Sequence, residues 1–139
     1  MTNEKKIFVV DDNEANLSVC KEILKTSYTV YPFVSAAKMF DLLNHVTPDL
    51  ILLDVEMPET NGYEAIKLLK KFESFRDIPV IFLSAMNDAQ SEAEGLNLGA
   101  ADYIHKPFIS TLLLRRVELH LTLEKYRKLL EEHGIPVTE

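Results

Sequence analysis

The feature that most constrains this chain is a five-fold alternation of a short apolar run with a longer stretch of helical periodicity. Ile7–Val10 is apolar, largely β-branched, and stops abruptly at Asp11. Asn13 is placed to cap a helix carrying Leu17, Cys20, Ile23 and Leu24. Tyr28–Tyr31 reads as a second strand, and Ser35 opens a helix with Ala36, Met39, Phe40 and Leu43 on one face. Leu50–Leu53 follows the Thr47-Pro48-Asp49 turn as a third strand. After the loop Met57–Gly62, where Gly62 is assigned to loop geometry, Tyr63, Ile66 and Leu69 recur with Ala65 and Leu68 beside them. Ile78–Leu83 reads as a strand with Pro79 at its start, and Asp88–Leu98 as a weaker helix closed by Gly99. Tyr103-Ile104 is a brief fifth strand before a long helix from about Ile109 to Glu132. Near-continuous apolar strands alternating with helices predict a parallel sheet covered on both faces, an α/β doubly wound fold.

At 139 residues the chain is long enough for one domain with a sizeable core. Its formal net charge of −7 and lack of a basic run exclude a direct grip on nucleic acid. No segment approaches the roughly 18 apolar residues of a membrane span. The N-terminal apolar run is too short for a signal peptide, so the reading is cytoplasmic. A single cysteine, Cys20, forms no internal disulfide and is assigned to packing.

In an open parallel sheet, ligands bind beyond the carboxyl ends of the strands. Here the apolar runs are followed by Asp11-Asp12, Asp54, Ser84 and Lys106-Pro107. Three carboxylates, a hydroxyl and an ammonium are thereby delivered to one edge. Three acids at one site repel one another and call for a hard cation with oxygen ligands, of which Mg²⁺ is the natural choice and Mn²⁺ a substitute.

The segments Val9-Val10-Asp11-Asp12-Asn13, Leu52–Pro58, Asn61-Gly62-Tyr63-Glu64, Phe82-Leu83-Ser84-Ala85 and Gly99–Phe108 resemble those of the receiver domains of bacterial response regulators, over about residues 5–122. The resemblance implies a flavodoxin-like, five-stranded parallel sheet of order 2-1-3-4-5. It implies that Asp54 is the phosphoacceptor, taking a phosphoryl group from a sensor histidine kinase or a phosphotransfer protein. Asp11, Asp12, Asp54 and the backbone carbonyl of Glu56 would hold Mg²⁺, Asp11 mostly through water. Ser84, Ala85 and Lys106 would bind the phosphoryl oxygens. Pro107 would follow a cis peptide that aims Lys106. Ser84 and Tyr103 would form the switch, the ring turning inward as Ser84 moves to the phosphate. Glu56 and Met86 match positions that tune phosphate lifetime; Glu56 is expected to reach the metal or its water, or to pair with Lys106, and Met86 to shield the acyl phosphate. Kinase recognition would lie around Asn13–Lys21 and the loop after Lys106. The chain would be a signalling phosphoacceptor that assists its own phosphorylation and dephosphorylation, not an enzyme acting on a separate substrate.

Two other readings are weaker. A haloacid-dehalogenase-like phosphatase puts its nucleophile first and its acidic pair last, the reverse of the order here. A degenerate receiver serving only as a binding module would lack some motif residue, and none is missing.

The last helix outruns the resemblance. Leu112, Leu119, Leu123, Tyr126 and Leu130 fall at three- and four-residue steps, with Arg116 at the one polar step, while Leu113 and Val117 occupy another face. The expectation is a receiver domain over 1–122 and a helical extension over 123–139, with Gly134–Glu139 frayed. The extension would be a linker to an absent output domain or a homodimerising helix, as in a piece of a larger regulator.

Overall fold

A computed structural model describes residues 4–136. The elements are β1 (Lys6–Val10), α1 (Glu14–Leu24), β2 (Thr29–Phe33), α2 (Ala36–Leu43), β3 (Leu50–Asp54), α3 (Gly62–Lys71), β4 (Val80–Ser84), α4 (Ala89–Asn97), β5 (Asp102–His105) and α5 (Ser110–Glu132). All strand pairs are parallel, in the order β2-β1-β3-β4-β5. The doubly wound, flavodoxin-like fold follows.

Strand parity sorts the core into two layers. Ile7, Val9, Leu50, Leu52, Ile81, Leu83 and Ile104 face α1 and α5, packing with Leu17, Cys20, Leu24, Leu113 and Val117. Phe8, Val10, Ile51, Leu53, Val80, Phe82 and Tyr103 face the other way, with α2 and α3 supplying Ala36, Met39, Leu43, Ala65, Ile66 and Leu69. β3 and β4 are buried along their whole length, which is why their sequences show no alternation. Asn13, Ser35, Asn61 and Asp88 cap α1 to α4, each accepting a backbone N–H from the first turn, and Glu64 closes a capping box with Asn61.

Several expected boundaries move, each for a local reason. Tyr28 donates its N–H to the Leu24 carbonyl and belongs to the exit turn of α1, so β2 starts at Thr29. It runs through Pro32 to Phe33 because β2 is an edge strand. Thr29 and Phe33 make the ladder to β1, and by alternation the Pro32 nitrogen points to the open edge. Ile78 bonds back to Phe75 in the turn after α3, so β4 begins at Val80, beyond Pro79, and extends to Ser84. Of the two residues beside the three-residue steps of α3, Ala65 is buried and Leu68 is exposed. Gly62 is not a loop residue; it opens α3, where a Cβ would run into the Asp54 carbonyl and the Val55 Cα. The expected fraying after α5 gives way, as far as Pro136, to a formed end. Gly134 takes φ 73°, its N–H bonds Glu131 and the Ile135 N–H bonds Leu130. Val137–Glu139 lie outside the described residues.

α5 is joined to β5 by charge as well as by packing. Both Asp102 carboxylate oxygens accept from Arg116 Nη1 at 2.8 Å, and His120 Nε2 lies 3.0 Å from Asp102 Oδ2. Burial works against ionised Asp102, but hydrogen bonds from His120, Arg116 and the Tyr103 N–H outweigh it and bring its pKa down to about 2. A carboxyl depressed in the folded state stabilises the fold above its unfolded pKa, and the gain fades as pH falls through the folded value. Asp102→Asn is therefore expected to cost about 1 to 2 kcal/mol at pH 7, discounted because Arg116 is partly in water. Urea unfolding at stepped pH should show wild type and variant converging between about pH 4 and pH 2.

Candidate functional site

The site lies at the carboxyl edge of β1, β3, β4 and β5. β1 and β3 pair with Val10 opposite Leu53; carried one residue further, that register sets Asp11 beside Asp54. Both are buried, at 1% and 2% exposure, whereas Asp12 is exposed on the rim. Carboxylate oxygens of Asp11, Asp12 and Asp54 lie within 4.8 Å of one another. Lys106 Nζ reaches into the cluster from the residue after β5, 2.9 Å from Asp11 Oδ2 and 3.1 Å from Asp54 Oδ1. The Lys106-Pro107 peptide is cis. The Asn13 N–H holds the remaining oxygen of Asp11 at 2.9 Å.

Three carboxylates face one ammonium, so two negative charges remain uncompensated if all ionise. Asp54 registers this: its pKa is pushed up to about 6, first by burial and next by the Asp11 charge, against the opposing pull of Lys106 and the Glu56 N–H. Hard oxygen donors with excess negative charge and an open, solvent-facing member are what Mg²⁺ accepts. The donor set therefore fits the expected ion.

Ser84 is fully buried as the last residue of β4, and its Oγ accepts the Met86 N–H at 2.9 Å. Ala85 is exposed on the loop between them. The Tyr103 ring is inward, at 5% exposure, with its hydroxyl buried and without a hydrogen-bond partner among the described residues. The ring is inside while the Ser84 hydroxyl accepts the Met86 N–H. Room for it exists because α4 presents Gly95 there; a Cβ at Gly95 would sit 2.9 Å from the Phe82 ring and 3.2 Å from the Tyr103 ring.

The Glu56 side chain is exposed, and Lys106 pairs with Asp11 and Asp54 instead of Glu56. The ammonium is taken by the two buried carboxylates, so the pairing of Glu56 with Lys106 is not made. Met86 packs toward the α2–α4 layer, with its sulfur 3.7 Å from Ser91 Oγ. Glu59, in the same loop as Glu56, has φ 68°, a left-handed conformation costly for a residue with a side chain.

Two further residues border the site, Cys20, assigned to packing from the sequence, and His105, which had no assigned role. Cys20, buried beneath it on α1, has its thiol pushed up to about 12 by burial and by Asp11, with Lys106 opposing. This agrees with a packing role. His105, just before Lys106, contacts Met86 and Glu92. Its place in the segment Tyr103–Lys106 was visible, but its reach depends on the path of the loop after β4.

Residues 7–118 match the family described as response regulator receiver domain. A probable cyclic di-GMP phosphodiesterase of Vibrio cholerae is 36% identical over 124 residues, covering 89% of this chain but 28% of that protein. The polar-differentiation response regulator DivK of Brucella ovis is 32% identical over 118 residues, covering 84% of this chain and 96% of DivK. The structure of the BeF3-activated DrrB receiver domain superposes with a TM-score of 0.78 at 31% identity, covering 86% of this chain and 98% of that one. DrrB is a Thermotoga maritima OmpR/PhoB homologue. Among the described residues no helix is long and apolar enough to cross a membrane.

The electrostatics can be checked directly. In metal-free solution, the Asp54 carboxyl carbon should titrate by NMR with a midpoint near 6. Asp11→Asn removes a repelling charge and should move that midpoint down. Lys106→Met removes the stabilising one and should move it up.

Proposed function

The chain belongs to the response regulator receiver family, and from that premise we propose that Asp54 is its phosphoacceptor, served by a divalent ion on the acidic cluster. The observation that carries this reading is the buried Asp54 carboxylate held 3.1 Å from Lys106 among two further acids. A sensor histidine kinase or phosphotransfer protein presents the phosphohistidine, and the exposed side of α1 around Asn13–Lys21 with the loop after Lys106 receives it.

Asp11, Asp12, Asp54 and the Glu56 carbonyl would hold Mg²⁺, which when bound neutralises charge on the acids and on the phosphoryl oxygens. The work of the protein's own groups is positional and electrostatic. An Asp54 oxygen bonds to phosphorus as the bond to the donor imidazole breaks, the leaving nitrogen keeping the electron pair. Lys106 gives up one of its carboxylate partners to a phosphoryl oxygen as a point charge. The Ser84 hydroxyl and the Ala85 N–H take further oxygens, and Tyr103 answers to the new position of Ser84. Hydrolysis of the acyl phosphate returns the site, so the protein assists both halves of its own cycle. Glu56 and Met86 border this chemistry and set how long the phosphate lasts.

The extension of α5 has a second task in this reading. Leu119, Leu123, Tyr126 and Leu130 are exposed, with Leu112 on the same stripe nearer the sheet. On the inner side Glu124 and Arg127 form a two-pronged ion pair at 2.8 and 2.6 Å, and Arg127 also reaches Glu131 and Asp77. Of these pairs only the 3.8 Å contact to Asp77 leaves the helix, so the extension is polar on one side and apolar on the other. We take residues 1–122 as the receiver and 123–139 as a helix that pairs with a second copy or leads to an output domain. About three heptads make a weak pair alone.

Intact mass after incubation with acetyl phosphate and Mg²⁺ tests the first reading. One phosphoryl adduct is expected on wild type and none on Asp54→Asn or with EDTA. Absence of an adduct, together with failure to bind beryllofluoride, would reduce the chain to a binding module. Sedimentation tests the second: wild type should show dimer at high concentration with beryllofluoride, and Leu123→Asp should remain monomeric.

A further inference from the structure

α4 is the helix held least by apolar packing. Gly95 is its one buried residue. Its first turn is secured instead by polar contacts. Asp88 caps it, and the Tyr63 hydroxyl donates to the Ser91 carbonyl at 2.7 Å. His105 supplies the third tie. It lies two residues beyond Tyr103, on the same face of β5, with the rings 5.4 Å apart. Its Nδ1 is 3.0 Å from the Met86 carbonyl, and its Nε2 is 3.1 Å from Glu92 Oε1 in the first turn of α4. The Met86 N–H, in the preceding peptide unit, donates to Ser84 Oγ. His105 also pairs with Ser84 in the sheet register, and the Lys106 N–H bonds the Ser84 carbonyl at 2.8 Å.

These contacts follow one another: Ser84 hydroxyl, Met86 N–H, across the Met86 Cα to its carbonyl, His105 ring, Glu92 carboxylate, α4. We infer that His105 is a positioning residue that carries a displacement of Ser84 to the N-terminal turn of α4. The inference rests on the phosphoacceptor reading of Asp54. When Ser84 Oγ is drawn toward a phosphoryl oxygen, the Met86 N–H bonded to it is drawn too. The Met86 carbonyl belongs to the same residue and faces His105 Nδ1, while the opposite nitrogen faces the Glu92 carboxylate on α4; both partners are acceptors, so the ring makes both ties at once as the imidazolium, with an N–H on each side. A helix with one buried residue has little else to keep it in register, so its position follows these ties. The Tyr103 ring works by occupying space under Gly95; the His105 chain works by hydrogen bonds and can be cut without emptying that space.

The test is hydrogen–deuterium exchange of residues 89–97 in the full chain, with and without beryllofluoride and Mg²⁺, beside intact mass after acetyl phosphate. In wild type, beryllofluoride should change α4 exchange by about fivefold, the equivalent of one net hydrogen bond of about 1 kcal/mol. His105→Ala should still accept the phosphoryl group but lose most of that response. Glu92→Ala should lose it in part and serves if His105→Ala does not fold. Glu92→Gln should keep it, because an amide offers His105 Nε2 a donor or an acceptor in either protonation state. A full response in both alanine variants overturns the inference, as does a phosphorylated wild type whose α4 does not respond. A wild type that takes no phosphoryl group and does not bind beryllofluoride overturns the phosphoacceptor reading itself, and this inference with it.

Discussion

The ammonium of Lys106, set between Asp11 and Asp54, is the interaction around which the molecule is organised. Two carboxylates almost wholly out of water repel each other, and each also loses hydration. One cation shared between them lowers that cost but does not remove it, as the raised pKa of Asp54 records. A site in this condition is poised to gain from any further positive charge. Its geometry holds only because the sheet is rigid. β1, β3 and β4 run through the interior, and their last residues have nowhere to go but the shared edge. The Gly62 backbone lies so close to Asp54 that the start of α3 backs the strand end directly.

How much of this was legible in the sequence depended on what each part required. Strands buried on both faces are short unbroken apolar runs, so β1, β3 and β4 were readable, and with them the identities of Asp11, Asp54 and Ser84 at their ends. The edge strand β2 was misplaced because its limits are set by where α1 lets go at Tyr28 and by how far β1 offers a ladder, neither of which is local. Leu68 stands beside the apolar steps of α3 in the sequence, and spacing alone does not say how wide the buried stripe is. Gly62 was visible as a glycine, but its reason, close approach to Asp54, exists only once β3 and α3 are packed. The reach of His105 and the outward turn of Glu56 lie in loop geometry. The tie between Arg127 and Asp77 joins residues 50 apart in sequence and no pattern announces it.

The helices divide by the way they are held. α1, α2, α3 and the first half of α5 lock by burying leucine, isoleucine and methionine against the sheet. α4 does not; it rests on a cap, a tyrosine hydroxyl and an imidazole. Apolar burial is non-directional and tolerates small shifts, whereas hydrogen bonds are directional and few. The division gives one stiff body and one element whose placement is sensitive to the loop beneath it, and that loop is the one that carries Ser84.

The length of α5 has a mechanical consequence. Its 23 residues span roughly 34 Å at 1.5 Å per residue. The buried contacts Leu113 and Val117 lie in its first half, and Leu130 stands roughly 20 Å beyond Val117 at the same rise per residue. Helix and sheet together act as a lever with its fulcrum at the Asp102–Arg116 pair. By that geometry a tilt of about 3° at the fulcrum, less than the scatter of helix packing angles, would swing the far end by about 1 Å. A second helix alongside would double the relative displacement. Motions too small to rearrange the site can thus arrive at the end of the chain as a change in spacing large enough to alter packing.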